Sequence, residues 1–177
     1  MTYTEIIGQG FGILGMMSYI LSFQAKKNYL YFIFQSFGAT FFALNFFLIG
    51  AYTGFAMNVV NIIRSLLLSK SDRKLWKFLL AEFLCIGSVA GSLALSPETG
   101  IHLVFTLITL AAQSFAVFVL WRANGTHIRY NQLFLLSPAW LAYDILNFTP
   151  GGIICETSCM ISVIVSFVRH GKEGFEK

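Results

Sequence analysis

The chain has 177 residues, of which 56% are hydrophobic and only 11% are charged, and its mean hydropathy is +0.72. A soluble domain of ordinary composition carries about 25% charged residues, so this composition excludes a soluble globular protein. The formal charge of +4 comes mainly from segments between apolar stretches. No basic stripe on a polar face is present, and nucleic-acid binding is therefore not expected.

Seven apolar stretches follow one another along the chain. They cover residues 4–24, 29–50, 53–69, 75–94, 101–121, 130–149 and 151–168. Each stretch reaches or nearly reaches the ~20 residues that an α-helix needs to cross ~30 Å of hydrocarbon. The sequence therefore predicts an all-α integral membrane protein with seven transmembrane helices in a single membrane domain, residues 1–177.

The basic residues lie on alternate connections between these stretches. One side of the predicted membrane carries all but one of the 12 lysines and arginines: Lys26, Lys27, Lys70, Arg73, Lys74, Lys77, Arg122, Arg129, Arg169, Lys172 and Lys177. The other connections, Ile49–Tyr52, Leu95–Gly100 and Phe148–Gly151, carry none. Lysine and arginine in short loops stay in the cytoplasm, so the pattern predicts an N-terminus outside and a C-terminus inside.

Three glycines share one face of the first predicted helix. Gly8, Gly12 and Gly15 are spaced four and three residues apart. Their neighbourhood also fits a dinucleotide-binding pattern, but no strand precedes it and it lies within a membrane helix. Small residues on one face allow two helices to approach closely, so we expect helix packing here.

The second half of the chain repeats the first at an offset of 98 or 99 residues. The matched positions are Gln24-Ala25 with Arg122-Ala123, Phe41, Ala43 and Asn45 with Trp140, Ala142 and Asp144, and Gly54 and Asn58 with Gly152 and Glu156. A short outer turn absorbs the one-residue change. Repeats of three helices joined by one linker helix are parallel repeats, related by an axis along the membrane normal. The predicted architecture is thus 3 + 1 + 3: repeat one 4–69, linker helix 75–94 and repeat two 101–169.

This arrangement resembles that of the SWEET, PQ-loop and PnuC transporters. More closely, Gly54–Leu66 and Trp140–Arg169 resemble the YgjV family of bacterial inner-membrane proteins. The matching features are an aromatic followed by a polar residue in the sixth helix, a Gly-Gly turn, a membrane glutamate and a basic end to the seventh helix. The resemblance implies an inner-membrane location but no particular activity. The three prolines, Pro97, Pro138 and Pro150, lie outside the first helix of either repeat, so a proline hinge of the SWEET kind is not expected.

Several polar residues fall inside the predicted helices, where ionisable groups cost ~2.5–3.5 kcal/mol on insertion scales. Measured at ~1.5 Å per residue from the outer face, the predicted depths are about 8 Å for Asn45, Asn58, Asp144 and Glu156, 12 Å for Asn61, 14 Å for Trp140 and 17 Å for Arg64. The first four would share one level, two from each repeat. A transporter of this build binds its substrate at such a level between the repeats.

A structural role competes with a functional one at each of these positions. The asparagines could form hydrogen bonds between helices. Arg64 could extend its long side chain to the cytoplasmic surface, only six residues before Lys70. Glu82, two turns into the predicted linker helix, favours a structural role near Lys77. Asp144 and Glu156 are short and far from the basic loops, and this favours function.

The sequence as a whole predicts a transporter or facilitator of a small polar metabolite. Trp140 and Tyr143 would stack on the substrate, Asn45, Asn58 and Asn61 would offer hydrogen bonds, Asp144 and Glu156 would hold a proton or a cationic group, and Arg64 would pair with them or hold an anionic group. Transport could then be coupled to protons.

Two other classes stay open, a membrane receptor that binds without transport and a structural subunit. No enzymatic set of Ser, His and Asp is apparent, and no cofactor is expected. The spacing of Cys155 and Cys159 favours packing over a metal site. The expected partners are the lipid bilayer and a small-molecule ligand, and a homo-oligomer is compatible with the sequence.

Overall fold

The computed structural model describes residues 3–48, 52–70, 72–95, 97, 99–122, 124–146 and 150–171. Residues 49–51, 96, 98 and 147–149, in the connections without lysine or arginine, lie outside the described residues, as do the basic residues Lys172 and Lys177. The elements are all helical: α1 (Tyr3–Gln24), α2 (Asn28–Leu48), α3 (Tyr52–Leu68), α4 (Leu75–Leu95), α5 (Gly100–Arg122), α6 (Gly125–Asn131), a π-helical turn (Gln132–Leu136), α7 (Ser137–Leu146) and α8 (Pro150–His170). Because α6, the π-helical turn and α7 run on without a break, they form one helix, called α6–α7 below. Each of the seven predicted stretches is thus confirmed as a helix.

Five of these helices are long and apolar enough to cross a membrane. The candidate spans are Ile6–Gln24, Asn28–Leu48, Leu75–Ala94, Gly100–Arg122 and Gly151–His170. The third helix is shorter: α3 has 17 residues, or roughly 25 Å against the ~30 Å of a hydrocarbon core. The sixth is interrupted by the π-helical turn, so neither of its α-helical parts is long enough alone.

The outer surface of the helices is apolar. Leu66 on α3, Phe83 on α4 and Val168 on α8 are 61%, 73% and 81% exposed. In water this surface would be costly, since apolar area contributes ~25 cal/mol per Å² when it is removed from solvent. A hydrocarbon solvent carries no such cost, so these faces are suited to contact with lipid.

The helices pack in a closed ring. Along the chain each helix packs on the next, from α1 through α5 to α6–α7 and α8, and α8 packs back on α1. The third helix also contacts α5 across the ring. The first and last helices are therefore neighbours, and the ring surrounds an interior bordered by several helices.

Close approach of α1 and α2 depends on glycine. A Cβ atom at Gly38 would lie 2.5 Å from the ring of Tyr19, and one at Gly15 would lie 2.8 Å from the ring of Phe42 and 3.1 Å from the Gly38 carbonyl. At Gly12 it would lie 3.1 Å from the side chain of Asn45. The prediction that the glycine face of the first helix serves packing is confirmed.

Hydrogen bonds join the helix ends that carry the basic residues, called the basic end below. At the end of α1, the Gln24 amide nitrogen donates to the Ser162 carbonyl at 2.7 Å and to its hydroxyl at 2.9 Å. The Ser162 hydroxyl in turn donates to the Ile20 carbonyl at 2.7 Å. These bonds hold the C-terminal parts of α1 and α8 together.

A salt bridge orders the connection between α3 and α4 at the same end. The Lys77 ammonium donates to both carboxylate oxygens of Asp72, at 2.8 and 3.0 Å. This hydrogen bond, with the positive charges of Lys77 and Lys74, holds the pKa of Asp72 below its ordinary value. The Lys77 side chain is itself only 10% exposed, so its charge is compensated where water is scarce.

The sixth helix begins earlier than predicted. Residue 130 was the expected start, but Asn124 caps α6 by accepting a hydrogen bond from the His127 backbone N–H at 3.1 Å. Arg129, predicted to lie on a connection, is instead within α6 and only 1% exposed. Hydropathy marks only the apolar part of a helix, whereas an asparagine cap sets its true first turn.

Candidate functional site

A cavity of about 260 Å³ lies inside the ring. It is called the central cavity below, and α2, α3, α4, α5 and α7 contribute to it. Its lining comprises Phe46, Met57, Asn58, Val60, Asn61, Arg64, Cys85, Ser88, Val89, Ser92, Leu93, Thr106, Thr109, Leu110, Gln113, Trp140 and Tyr143. An apolar wall with a few inward polar groups is typical of a small-molecule site.

Helical spacing explains why the polar residues of α3 face this space. Asn58, Asn61 and Arg64 are three residues apart, so they lie on one side of the helix. Their apolar neighbour Leu66 points outward and is exposed. These three predicted site residues are therefore brought together by a single helix face.

Trp140 and Tyr143 form an aromatic wall of the cavity. Their ring centroids are 5.7 Å apart and the planes meet at 82°, an edge-to-face arrangement. The Trp140 indole N–H points to the side-chain oxygen of Gln113 at 3.5 Å, the long limit of a hydrogen bond. The partner on α5 fixes the direction of the indole, so one face of the pair can border a ligand.

Arg64 is buried at the boundary of the central cavity. Its residue is 8% exposed, and its Nε and Nη1 atoms have no hydrogen-bond partner among the described residues. The expected alternative, a side chain extending to the membrane surface, is not observed. The same guanidinium borders a second void of about 30 Å³, which Tyr31, Gln35, Asn131 and Gln132 also line.

Asn45 lies elsewhere, between α1 and α2. Its amide nitrogen donates to the Gly8 carbonyl at 2.6 Å, and the residue is 6% exposed. Asn45 is not part of the lining of the central cavity. The structure thus places this predicted site residue in a helix-helix contact.

Asp144 and Glu156 lie where α7 meets α8. The Gln132 amide donates to the Ser137 hydroxyl at 2.7 Å, and this hydroxyl donates to a Glu156 carboxylate oxygen at 2.6 Å. The Asp144 carboxyl group lies directly over Gly152, in the space that a Cβ atom there would need. Neither acid lines the central cavity. The expected ring of Asn45, Asn58, Asp144 and Glu156 around one space is not formed, and only Asn58 borders the cavity.

The central cavity also includes residues that the sequence interpretation did not single out. They are small hydroxyl residues of α4 and α5, with one amide: Ser88, Ser92, Thr106, Thr109 and Gln113. The sequence could have indicated these residues, because polar residues that recur every three or four positions in an otherwise apolar helix mark an inward face. The helix expected to be a linker, α4, thus forms one wall of the cavity.

Glu82 is the acid of α4. It does not bond to Lys77, which instead contacts Asp72. One of its carboxylate oxygens, Oε2, is buried without a hydrogen-bond partner in the described part of the chain. Glu82 lies one turn before the cavity residue Cys85 but is not itself part of the lining.

Apolar helices with a lipid-facing surface and a polar interior cavity define a multi-pass α-helical membrane protein. Residues 6–174 match the model of a family described as Imp-YgjV, bacterial inner membrane protein. The chain therefore belongs to the Imp-YgjV family and is a protein of the bacterial inner membrane. No curated protein and no solved structure gives a significant match.

Proposed function

We propose that this protein is a transporter or facilitator of a small polar metabolite, which binds in the central cavity. The cavity carries the proposal: it holds about 260 Å³, against ~150 Å³ for an engineered cavity that binds one benzene. Amide, hydroxyl and guanidinium groups border it beside two aromatic rings. A structural subunit would have no need of an open polar space in hydrocarbon, where each unpaired polar group costs free energy.

The proposal includes two parallel three-helix repeats joined by α4, as in the SWEET-like transporters. In this arrangement α1 corresponds to α5, and α3 corresponds to α8. An approximate twofold relation therefore requires that the contact of α8 with α1 be matched by a contact of α3 with α5, and both contacts are present. Gln24 of the first repeat matches Arg122 of the second at an offset of 98 residues, and Phe41 matches Trp140 at an offset of 99. The second repeat thus has one additional residue between these two matched pairs. The π-helical turn lies between these points, and such a turn holds one residue more than an α-helical turn.

The proposed orientation has the basic end in the cytoplasm. Among the described residues, Lys26, Lys74, Arg122 and Arg169 lie at this end, and loop lysines and arginines stay inside. A reporter fused after the C-terminus should then be cytoplasmic, and one inserted beside Pro97 external. The reverse result at either position would refute this orientation.

A binding screen followed by a flux assay tests the function. A ligand at a hundredfold excess over its Kd stabilises the protein by about 2.7 kcal/mol, which thermal unfolding in detergent detects. Ligands found in this way are then tested for uptake into liposomes. The proposal involves no bond making or breaking, so the ligand should be recovered unchanged.

Two tryptophans supply the matched variants. Trp140→Phe should weaken both binding and uptake, whereas Trp76→Phe should change neither, since Trp76 lies on the outer surface and is 54% exposed. Binding without uptake would contradict transport and indicate a receptor. Absence of binding across a broad metabolite library would contradict both and indicate a structural subunit.

A further inference from the structure

We infer that the substrate is a small organic anion with one negative charge, whose carboxylate is held by Arg64; this rests on the proposed function. The central observation is the state of the guanidinium. It is more than nine-tenths buried, it borders the central cavity, and two of its three nitrogens have no hydrogen-bond partner among the described residues.

The charge around the cavity is unbalanced. Among the described residues, Arg64 is the one charged residue of the lining, and no aspartate or glutamate of this part of the chain borders the cavity. The ion pairs observed in the described part of the chain join Asp72 to Lys74 and Lys77, at the basic end, and none of these residues lines the cavity. Glu82, on the neighbouring helix, forms no salt bridge with Arg64. A buried charge without a partner is costly, so an anion that enters the cavity would recover free energy that the empty site lacks.

The guanidinium group also selects the kind of anion. Its five N–H donors form a flat fork that matches the two oxygens of a carboxylate. A single fixed positive charge balances a single negative charge, so a monocarboxylate leaves the cavity neutral. A doubly charged phosphate ester would leave one negative charge uncompensated in a medium of low dielectric constant.

The rest of the lining suits the remainder of such a molecule. The Asn61 amide adds donors for anionic oxygens, whereas the hydroxyls of Ser88 and Thr109 already donate to carbonyls of their own helices. Trp140 and Tyr143 present ring faces for an apolar body. A volume of about 260 Å³ exceeds the ~150 Å³ that holds one benzene and leaves room for a ring with a carboxylate.

The position of Arg64 between two voids fits passage toward the basic end. The small void beyond it, about 30 Å³, has space for roughly one water and is lined by residues of α2, α5 and α6. Ile128, which also borders this void, lies close to the capped start of α6 at the basic end. The carboxylate of an anion bound to Arg64 thus lies at the side of the central cavity that faces the small void.

Matched probes test this inference on the whole protein. Benzoate and hexanoate are compared with their neutral amides, benzamide and hexanamide, and with the cation benzamidinium, by thermal shift in detergent. At least one carboxylate should bind roughly tenfold or more tightly than its amide, the factor expected for a charge-assisted hydrogen bond. If neither carboxylate is preferred over its amide, or if benzamidinium is preferred, the inference is wrong.

Variants then assign the preference to Arg64. Arg64→Gln should remove the preference for the carboxylate, and Arg64→Lys should retain part of it, because an ammonium keeps the charge but not the fork. Lys70→Gln, which removes a charge from the exposed end of the same segment, should leave the preference intact. A preference that survives in Arg64→Gln would overturn the assignment. If this variant does not fold, a reduced preference in Arg64→Lys but not in Lys70→Gln still supports the assignment, and an unchanged preference in Arg64→Lys overturns it.

The same assays separate the two proposals. Uptake of neutral or cationic metabolites with no preference for anions would refute the anion site and leave the transporter standing. Carboxylate binding that depends on Arg64 without uptake would support the anion site and refute transport.

Discussion

Replacing Asn45 with alanine should destabilise the protein without weakening ligand binding. Its amide donates to the Gly8 carbonyl at 2.6 Å across the α1–α2 contact, outside the central cavity. Hydrogen bonds between membrane helices contribute ~0.6 kcal/mol on average and up to ~1.7 kcal/mol. The Gly8 carbonyl lies within α1 and keeps its bond inside the helix, so no buried acceptor loses its last partner.

We therefore expect Asn45→Ala to lower the free energy of unfolding by about 1 kcal/mol, or the unfolding temperature by roughly 2–4 °C for a chain of this length. A thiol-reactive dye provides the assay, because Cys85, Cys155 and Cys159 are all buried and free. Cys155 and Cys159 lie outside the central cavity and should react only as the helices separate on heating; Cys85, which lines the cavity, is replaced by alanine in every variant. Benzoate binding, measured in the same experiment, should be unchanged.

Thr40→Ala is the matched control on the same helix. The Thr40 hydroxyl also donates one hydrogen bond, at 2.8 Å, but to the Ser36 carbonyl of its own helix and at an exposed position. This variant should unfold at the wild-type temperature. Equal unfolding temperatures for Asn45→Ala and Thr40→Ala would refute the packing role, and so would lost binding by a protein of unchanged stability.

Two further predictions concern neighbouring glycines and a salt bridge. Gly152→Ala should lower the unfolding temperature, because its Cβ would overlap the Asp144 carboxyl group, whereas Gly151→Ala should not, since no atom lies within 4 Å of its Cβ position; equal effects would contradict the described α7–α8 contact. The bond from Lys77 holds the pKa of Asp72 low, so Asp72 should stabilise the protein above its ordinary pKa of ~4 and lose this contribution as the pH falls further. The Asp72→Asn variant should be less stable than the wild type at pH 7, and its unfolding temperature should fall less than that of the wild type between about pH 5 and pH 3. Unfolding temperatures of the two proteins that change in parallel with pH would contradict this.

Apolar stretches located the helices because lipid-facing and interior positions are both mostly apolar. Predicted boundaries lie within one or two residues of the observed ones in six of seven helices. The sixth differs because its first turn, from Gly125 to Arg129, is polar and depends on the Asn124 cap. Hydropathy carries no information about a cap or about a π-helical turn, which changes hydrogen bonding and not composition.

The lining of the central cavity was predicted in part. Counting residues along a helix gives depth, and depth singled out Asn58, Asn61 and Arg64, which line the cavity. Depth alone does not say which way a side chain points. Asn45 lies at a suitable depth but faces α1, and Glu156 faces Ser137. Which helices become neighbours around a ring is decided by packing in three dimensions, and no single helix encodes it.

The contact between α1 and α8 has a consequence for how the protein is made. Gln24 is synthesised early, near the end of the first helix, but its side-chain nitrogen donates to Ser162 of the last helix. Until α8 leaves the ribosome and enters the bilayer, this amide has no such acceptor, and the edges of α1 and α7 remain open to lipid. Assembly is therefore completed by the last helix to be translated. A ribosome that stalls before α8 leaves the Gln24 amide without its Ser162 partners and one side of α1 without its neighbour.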